Sequence, residues 1–276
     1  MGYGDEIMVT GYAKVLKQKY PDHQIVAGNK QKGIVTDSII FNNNPYIKRF
    51  SELRNMKTIW IDSYSGHRPY FIKETEDKYY WNMNYRVKAG DLFFSKEEKQ
   101  FASSIISSAK EWWGQRKNNK FKKIIFLEPS RIKTSKNNAS INRSWGNKKW
   151  ASFLDLHKNE YLFLQSIFTD SDQFDGIFNF TSGFRDACAV LNQCDLVVGG
   201  EGGFTHAAGA LNKKGLFIYG GWIDPNITGY SVHNNVYIDI EGSPCGMKIL
   251  CEHCKKCNEI MTVEMISKKF TEMLSF

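Results

Sequence analysis

The chain has 276 residues, of which 42% are hydrophobic and 14% aromatic. That is enough apolar surface to close real cores, which excludes global disorder, and enough length for two domains of roughly 100 to 150 residues. The formal charge of +8 favours an anionic partner, such as a nucleotide diphosphate, an anionic glycolipid or membrane surface, or nucleic acid, without choosing among them. No apolar run reaches the roughly 18 to 20 residues that cross a bilayer, and residues 1–10 lack a basic leader, so the expected location is cytoplasmic.

In chain order, the first segment opens with a Gly-rich turn and continues as a helix through Val9, Tyr12, Ala13, Leu16 and Tyr20, stopping at Pro21. Short apolar pieces at 23–27, 33–41 and 58–61 have the spacing of alternating strands and helices in a Rossmann-like half. Residues 64–87 are aromatic, polar and poorly periodic, which predicts a loop-rich insertion or an acceptor-side surface. Helical periodicity returns over 96–113 through Phe101, Ile105, Ile106, Ala109 and Trp113. The basic stretch 114–123 then marks a boundary, dividing the chain into an N-terminal domain, 1–116, and a C-terminal domain, 117–276.

The second half alternates regularly. A strand at 124–127 is followed by a polar loop (130–146), a helix (148–157), a strand (161–168), a helix (184–193), a strand (195–198), a Gly-rich turn, a helix (205–211) and a strand (215–219). This alternation predicts a parallel sheet, and such sheets place ligands at the carboxyl ends of their strands.

The most informative stretch runs from Cys194 to Leu211, a buried strand followed by four glycines in five residues and a small-residue helix. Helix-start amides and the positive end of the helix dipole suit a pyrophosphate, and glycine offers no Cβ to block it. Glu201 is placed to accept from hydroxyls, Thr205 lies in the first helical turn, and His206 can donate to a phosphate or ribose oxygen. A tight strand-to-helix turn with a packed histidine would show the same residues.

This segment resembles the family 9 glycosyltransferases, whose best-known members are the bacterial lipopolysaccharide heptosyltransferases. Their Asp-Thr-Gly-x-x-His-x-x-Ala-Ala signature stands here as Glu201-Gly202-Gly203-Phe204-Thr205-His206-Ala207-Ala208, with Glu201 for the Asp and Gly202 for the Thr. Three further segments agree with the resemblance in order. Gly4-Asp5-Glu6 is similar to the family's Gly-Asp loop, which makes Asp5 the expected general base. Arg143-Ser-Trp-Gly-Asn-Lys-Lys-Trp150 is similar to Lys-x-Trp-Pro-x-x-x-Trp, with Arg143 in place of the phosphate-binding Lys, a task a guanidinium can perform bidentately. Asn44-Pro45-Tyr46-Ile47 resembles a structural turn. Ser130, after the first strand of the second domain, is a further phosphate-side candidate, whereas Arg185 and Asp186 are expected to form a cap and surface pair.

The resemblance implies a GT-B fold, two Rossmann-like domains with parallel sheets facing across a cleft. It implies an inverting, metal-independent transfer of a sugar from a nucleotide-sugar donor to a glycan or glycolipid acceptor in lipopolysaccharide biosynthesis, with peripheral contact at the inner membrane face. The donor is expected to be held by Gly4, Ser130, Arg143, Glu201, Gly202, Gly203, Thr205 and His206. The family opens on a buried strand ahead of the Gly-Asp loop. This chain opens at the loop, so either its start has been set too late or its N-terminal sheet lacks that strand.

Two other readings stay open, a nucleotide-binding module without turnover and, on the basic and aromatic stretch 110–123, a nucleic-acid binder, though no nucleic-acid partner is expected. Four cysteines cluster as Cys245-x5-Cys251-x2-Cys254-x2-Cys257 with His253 among them. They could close a structural zinc site, remain reduced thiols or form disulfides, and catalysis is not expected to depend on them.

Overall fold

The computed structural model describes residues 2–62, 68–129, 139–168 and 172–275. The N-terminal lobe begins with helix α1 (Tyr3–Lys19), so the expected turn at Gly4-Asp5 is already the first helical turn. Burial of Ile7, Met8, Val9 and Ala13 fastens α1 to the core. The helix is followed by β1 (Gln24–Asn29), the short β2 (Ile34–Val35), two turns of 3-10 helix and β3 (Thr58–Asp62). These strands form a small sheet in the order β2-β1-β3, with β1 and β3 parallel and β2 antiparallel. The stretch expected to be loop-rich contains a hairpin of β4 (Phe71–Glu74) and β5 (Tyr79–Trp81).

Helix α2 (Lys96–Arg116) starts at a capping box in which Ser95 Oγ accepts from Glu98 N–H and the Glu98 carboxylate accepts from Ser95 N–H. There follow β6 (Ile124–Glu128), α3 (Ala139–Arg143), α4 (Asn147–His157), β7 (Leu162–Ile167), β8 (Phe178–Thr181), α5 (Phe184–Gln193), β9 (Leu196–Gly200) and α6 (Gly203–Ala210). The chain ends with β10 (Gly215–Gly220), α7 (Pro225–Thr228), β11 (His233–Tyr237), α8 (Glu252–Ile260) and α9 (Val263–Leu274). Helix α2 packs on α5, β7 and β8, against the large sheet rather than the small one.

The large sheet has six strands, all parallel, in the order β11-β10-β9-β6-β7-β8. Its central strands are apolar on both faces, as a parallel sheet covered by helices on each side requires. One face packs on α4 and α9 through Trp145, Phe153 and Phe270, while the other carries α2, α5 and α6 through Val190, Phe204 and Ala207. The chain travels outward from β6 to β8 and then jumps back to β9 on the other side of β6. The strand order therefore switches between β6 and β9, and the carboxyl ends of these two strands flank the crevice where doubly wound sheets bind ligands. No helix among the described residues is long and apolar enough to cross a membrane.

Candidate active site

At the switch point, β6 and β9 approach so closely that a Cβ on Gly199 would lie 2.5 Å from the Glu128 carbonyl oxygen. Strand β9 delivers Glu201 and Gly202 to the crevice, and α6 begins immediately after them. Nothing lies within 4 Å of where a Gly202 Cβ would stand, so the backbone is open on that side. The Gly202 N–H is not free for a ligand, because it donates to Thr205 Oγ1 at 3.1 Å. Thr205 is fully buried, and its own hydroxyl donates to the Gly200 carbonyl. Contrary to the sequence expectation, Thr205 closes the turn and does not line the cleft. The amides left without an intrahelical acceptor belong to the start of α6 at Gly203 and Phe204.

Helix α1 meets α6 across the crevice. Gly4 permits this approach, because a Cβ there would stand 2.8 Å from His206 Cδ2. His206 is nearly buried, its Nδ1 is 2.8 Å from the Tyr230 hydroxyl, and Nε2 is the nitrogen left for the cleft. Burial pushes its pKa below the ordinary value against the opposing pull of Glu201 and Asp5, so the ring is neutral near pH 7.

Asp5, in the first turn of α1, is held from the hairpin side. The Tyr70 hydroxyl donates to its Oδ1 at 2.7 Å, and Arg68 Nε lies 3.2 Å from its Oδ2. Burial, aided by the Asp5 charge, raises the Tyr70 pKa well above its usual range. The phenol is therefore a fixed donor that orients the carboxylate.

On the opposite wall, the last residue of α3, Arg143, pairs with Glu201 at 2.7 Å and lies 4.7 Å over the Trp222 ring. Trp222 is set by its indole N–H on the Met247 carbonyl and by Trp81, whose indole N–H donates to the Trp222 carbonyl.

These groups border one cavity of about 360 Å³, lined by Asp5, Arg68, Tyr70, Arg143, Glu201, Gly202, Gly203, His206 and Trp222 among others. An adjoining chamber of about 300 Å³ lies beyond the Arg143–Glu201 pair, against Tyr3, Glu128, Ser140 and Phe184. The structure thus brings Gly4, Asp5, Arg143, Glu201, Gly202, Gly203 and His206 together. Ser130 lies outside the described residues. Arg68, Tyr70, Trp222 and Tyr230 belong to the same site and were not singled out by sequence. Arg185 departs from the surface role expected of it, since it is 4% exposed and bonded to Glu98 and to the carbonyls of Ile40, Asn42 and Phe93. The cysteine cluster lies behind Trp222, outside the cavity walls.

Two α/β lobes with a polar cavity at the switch point of a parallel sheet define the GT-B class of fold. Two solved structures are similar along almost the whole chain. One is the glycosyl transferase family 9 structure from Veillonella parvula DSM 2008, at TM-score 0.65 and 14% identity, covering 99% of this chain and 94% of that one. The other is the iron-containing dodecameric glycosyltransferase TibC from enterotoxigenic E. coli H10407, at TM-score 0.62 and 12% identity, covering 99% of this chain and 73% of that one. At such identities the likeness is one of fold. No protein-family model and no curated protein sequence matches the chain.

Proposed function

We propose that the protein is an inverting glycosyltransferase that moves a sugar from a nucleotide-sugar donor to a hydroxyl of a glycan or glycolipid acceptor. The observation carrying this reading is the convergence of Asp5, Arg143, Glu201 and His206 around the open start of α6 in one cavity. In this reading the nucleoside occupies the chamber bounded by Glu128, Ser140 and Phe184, with its hydroxyls on Glu201. The diphosphate lies at the shared rim, against the α6 amides, Arg143 and His206 Nε2. Its developing charge is met by donors already in place, and such prearranged electrostatics is the largest catalytic term in many transfers.

Asp5 takes the proton of the acceptor hydroxyl as its oxygen attacks the anomeric carbon from the face opposite the departing diphosphate. The anomeric C–O bond breaks with its electrons going to the diphosphate, so configuration inverts. The Arg143 cation, the neutral His206 donor and the α6 dipole of this rim serve the leaving group without calling on a catalytic metal. A heptose donor, a lipopolysaccharide-core acceptor and work at the inner membrane face follow from the resemblance alone and are part of the proposal.

The alternative is a nucleotide-sugar-binding protein without turnover, which the Glu201 and Gly202 replacements favour. A panel of sugar nucleotides screened by thermal shift, followed by measurement of nucleoside-diphosphate release with acceptor present, decides between them. A ligand that binds only the folded state raises the melting temperature with its concentration. A shift with no diphosphate release for any donor and acceptor pair leaves the binding module. No shift with any nucleotide overturns both readings.

A further inference from the structure

Outside the cleft, among the described residues, a group of soft donor atoms joins the segment after β11 to the start of α8. The Sγ atoms of Cys245, Cys251 and Cys254 and a ring nitrogen of His253 all lie within 4.8 Å of one another. Cys245 and Cys254 are buried, and Cys251 and His253 are half-buried. Cys257, part of the four-thiol set drawn from the sequence, is not a member of this group. Three thiols and one imidazole are the donor number and kind of a closed tetrahedral site. With metal–sulfur bonds of about 2.3 Å and metal–nitrogen bonds of about 2.0 Å, the edges of such a tetrahedron are roughly 3.5 to 3.8 Å. His253 Nδ1 is 4.0 Å from Cys254 Sγ, and the sulfurs of Cys245 and Cys254 are 2.9 Å apart. Movements of about 1 Å or less along these edges would complete that geometry.

The imidazole is oriented for the task. The Ser243 hydroxyl donates its single proton to the Ile238 carbonyl at 2.8 Å. It must therefore accept from His253 Nε2, which is 3.0 Å away. The ring proton then sits on Nε2, and the Nδ1 lone pair faces the thiols, which is how an outer hydrogen bond fixes the tautomer of a metal-bound histidine. A surface pocket of about 250 Å³ bordered by Asn142, Cys251 and Cys254 gives an ion a way in.

The same segment supports the cleft wall. Cys245 N–H donates to the Gly221 carbonyl and Gly246 N–H to the Trp222 carbonyl. The Met247 carbonyl accepts from both the Trp222 indole and the side-chain amide of Asn142, the neighbour of Arg143 in α3. We propose that Cys245, Cys251, His253 and Cys254 bind one thiophilic divalent cation, zinc or ferrous iron, and that this ion fastens the wall carrying Trp222 and Arg143. The ion stands away from the reacting groups and acts by position. Its binding is independent of the proposed transfer reaction, whereas its effect on ligand affinity rests on the nucleotide reading of the cleft.

The test is elemental analysis of the full-length protein purified without chelator. Near one equivalent of zinc or iron per chain is expected, and the analysis itself tells which. Cys251→Ala and His253→Ala should each lose most of it, while Cys257→Ala keeps it. Absence of metal together with the loss of two free thiols, the signature of a Cys245–Cys254 disulfide, overturns the site. Retention of the ion by His253→Ala with its loss from Cys257→Ala overturns the donor set. In the second arm, chelator-stripped, reduced protein is compared with loaded protein for ADP, GDP and UDP affinity by calorimetry. Removal of the ion should weaken binding about tenfold, within the usual range of coupling between two sites. Equal affinity overturns the positioning role. Failure of both forms to bind any of the three nucleotides, with one equivalent of metal present, sinks the reading of the cleft and leaves the ion site standing.

Discussion

Arg143 and Glu201, 58 residues apart in sequence, meet at 2.7 Å on the rim between the two chambers of the cleft, with the guanidinium stacked over Trp222. On the proposed reading the guanidinium serves the phosphates and the carboxylate the hydroxyls, and in the structure the two charges neutralise each other. The Glu201 side chain is only 8% exposed, so removal of Arg143 leaves a nearly buried carboxylate facing the place where another anion is expected.

Arg143→Ala is therefore expected to weaken nucleoside-diphosphate binding by more than the loss of one charge-assisted hydrogen bond, itself about 1.5 to 3 kcal/mol or roughly 10- to 150-fold. Glu201→Gln added to Arg143→Ala should recover part of that loss, because the unpaired charge goes with it. Calorimetric titration of the single and double variants checks this. An affinity unchanged in Arg143→Ala would remove the phosphates from this rim.

Asp5 is the residue whose replacement should separate binding from turnover. Asp5→Asn keeps the shape of the side chain and should leave the nucleotide-induced thermal shift within about 1 °C, while transfer falls by about 10² to 10⁴, the usual contribution of a general base. Tyr70→Phe removes the donor at 2.7 Å that orients the carboxylate. It is expected to lower the turnover number by a smaller factor, about 10, with the donor's KM nearly unchanged. Equal turnover by Asp5→Asn and wild type would take the proton-acceptor role from Asp5.

The elements most legible in the sequence are those whose burial imposes a pattern. Strands β6, β7, β9 and β10 lie inside the parallel sheet and read as apolar runs, and α2 announces itself by a 3.6-residue stripe. Within this sheet, the two strands that passed unnoticed, β8 (Phe-Asn-Phe-Thr) and β11 (His-Asn-Asn-Val-Tyr), are its two edges. Edge strands carry polar residues and no continuous apolar run, so neither periodicity nor hydropathy marks them. The same logic divides the site. Glu201 and His206 stand beside a run of glycines that local composition marks, whereas Asp5 and Arg143 were legible only through the resemblance of their segments to those of family 9. Arg68 and Tyr70 sit in an aperiodic hairpin region, and their relation to Asp5 spans more than 60 residues, which no spacing rule reaches. Thr205 has the right residue type in the right turn, yet its hydroxyl is used within the turn, and only coordinates reveal that.

Arg185 is expected to matter for stability and not for chemistry. Its side chain is 5% exposed, pairs with Glu98 at the start of α2, and donates to three main-chain carbonyls from the N-terminal part of the chain. It therefore ties α5 to α2 and to the segments around Ile40 and Phe93. Removing one partner of a buried pair costs about 3 to 5 kcal/mol, because the other charge is left unpaired. Arg185→Met should lower the urea midpoint accordingly, and Arg185→Lys should recover only a fraction, since an ammonium cannot reproduce the guanidinium fork. A midpoint unchanged in Arg185→Met would mean that the buried bridge does not hold these elements together.

The last expectation concerns acid. Burial, followed by proximity to His206, holds the His233 imidazole down to about 4, below its ordinary value of about 6.5. Its ring packs on Phe217 at 4.6 Å and on Tyr230 at 5.4 Å. The folded protein keeps this imidazole neutral while the unfolded chain protonates it near 6.5. The unfolded state thus binds more protons between these two values, and stability rises with pH across them. The contribution is whole above about pH 7 and is lost as pH falls toward 4, amounting to roughly 3 kcal/mol at 1.36 kcal/mol per pKa unit. His206 and His157 are shifted in the same direction by burial, so the wild-type slope should exceed that of a single group. His233→Phe keeps the aromatic contacts and removes the titration, so urea unfolding measured from pH 7.5 to 4.5 should show a slope shallower by close to one proton. Coincident slopes for the variant and the wild type would mean that His233 titrates normally and that its site admits the charged ring.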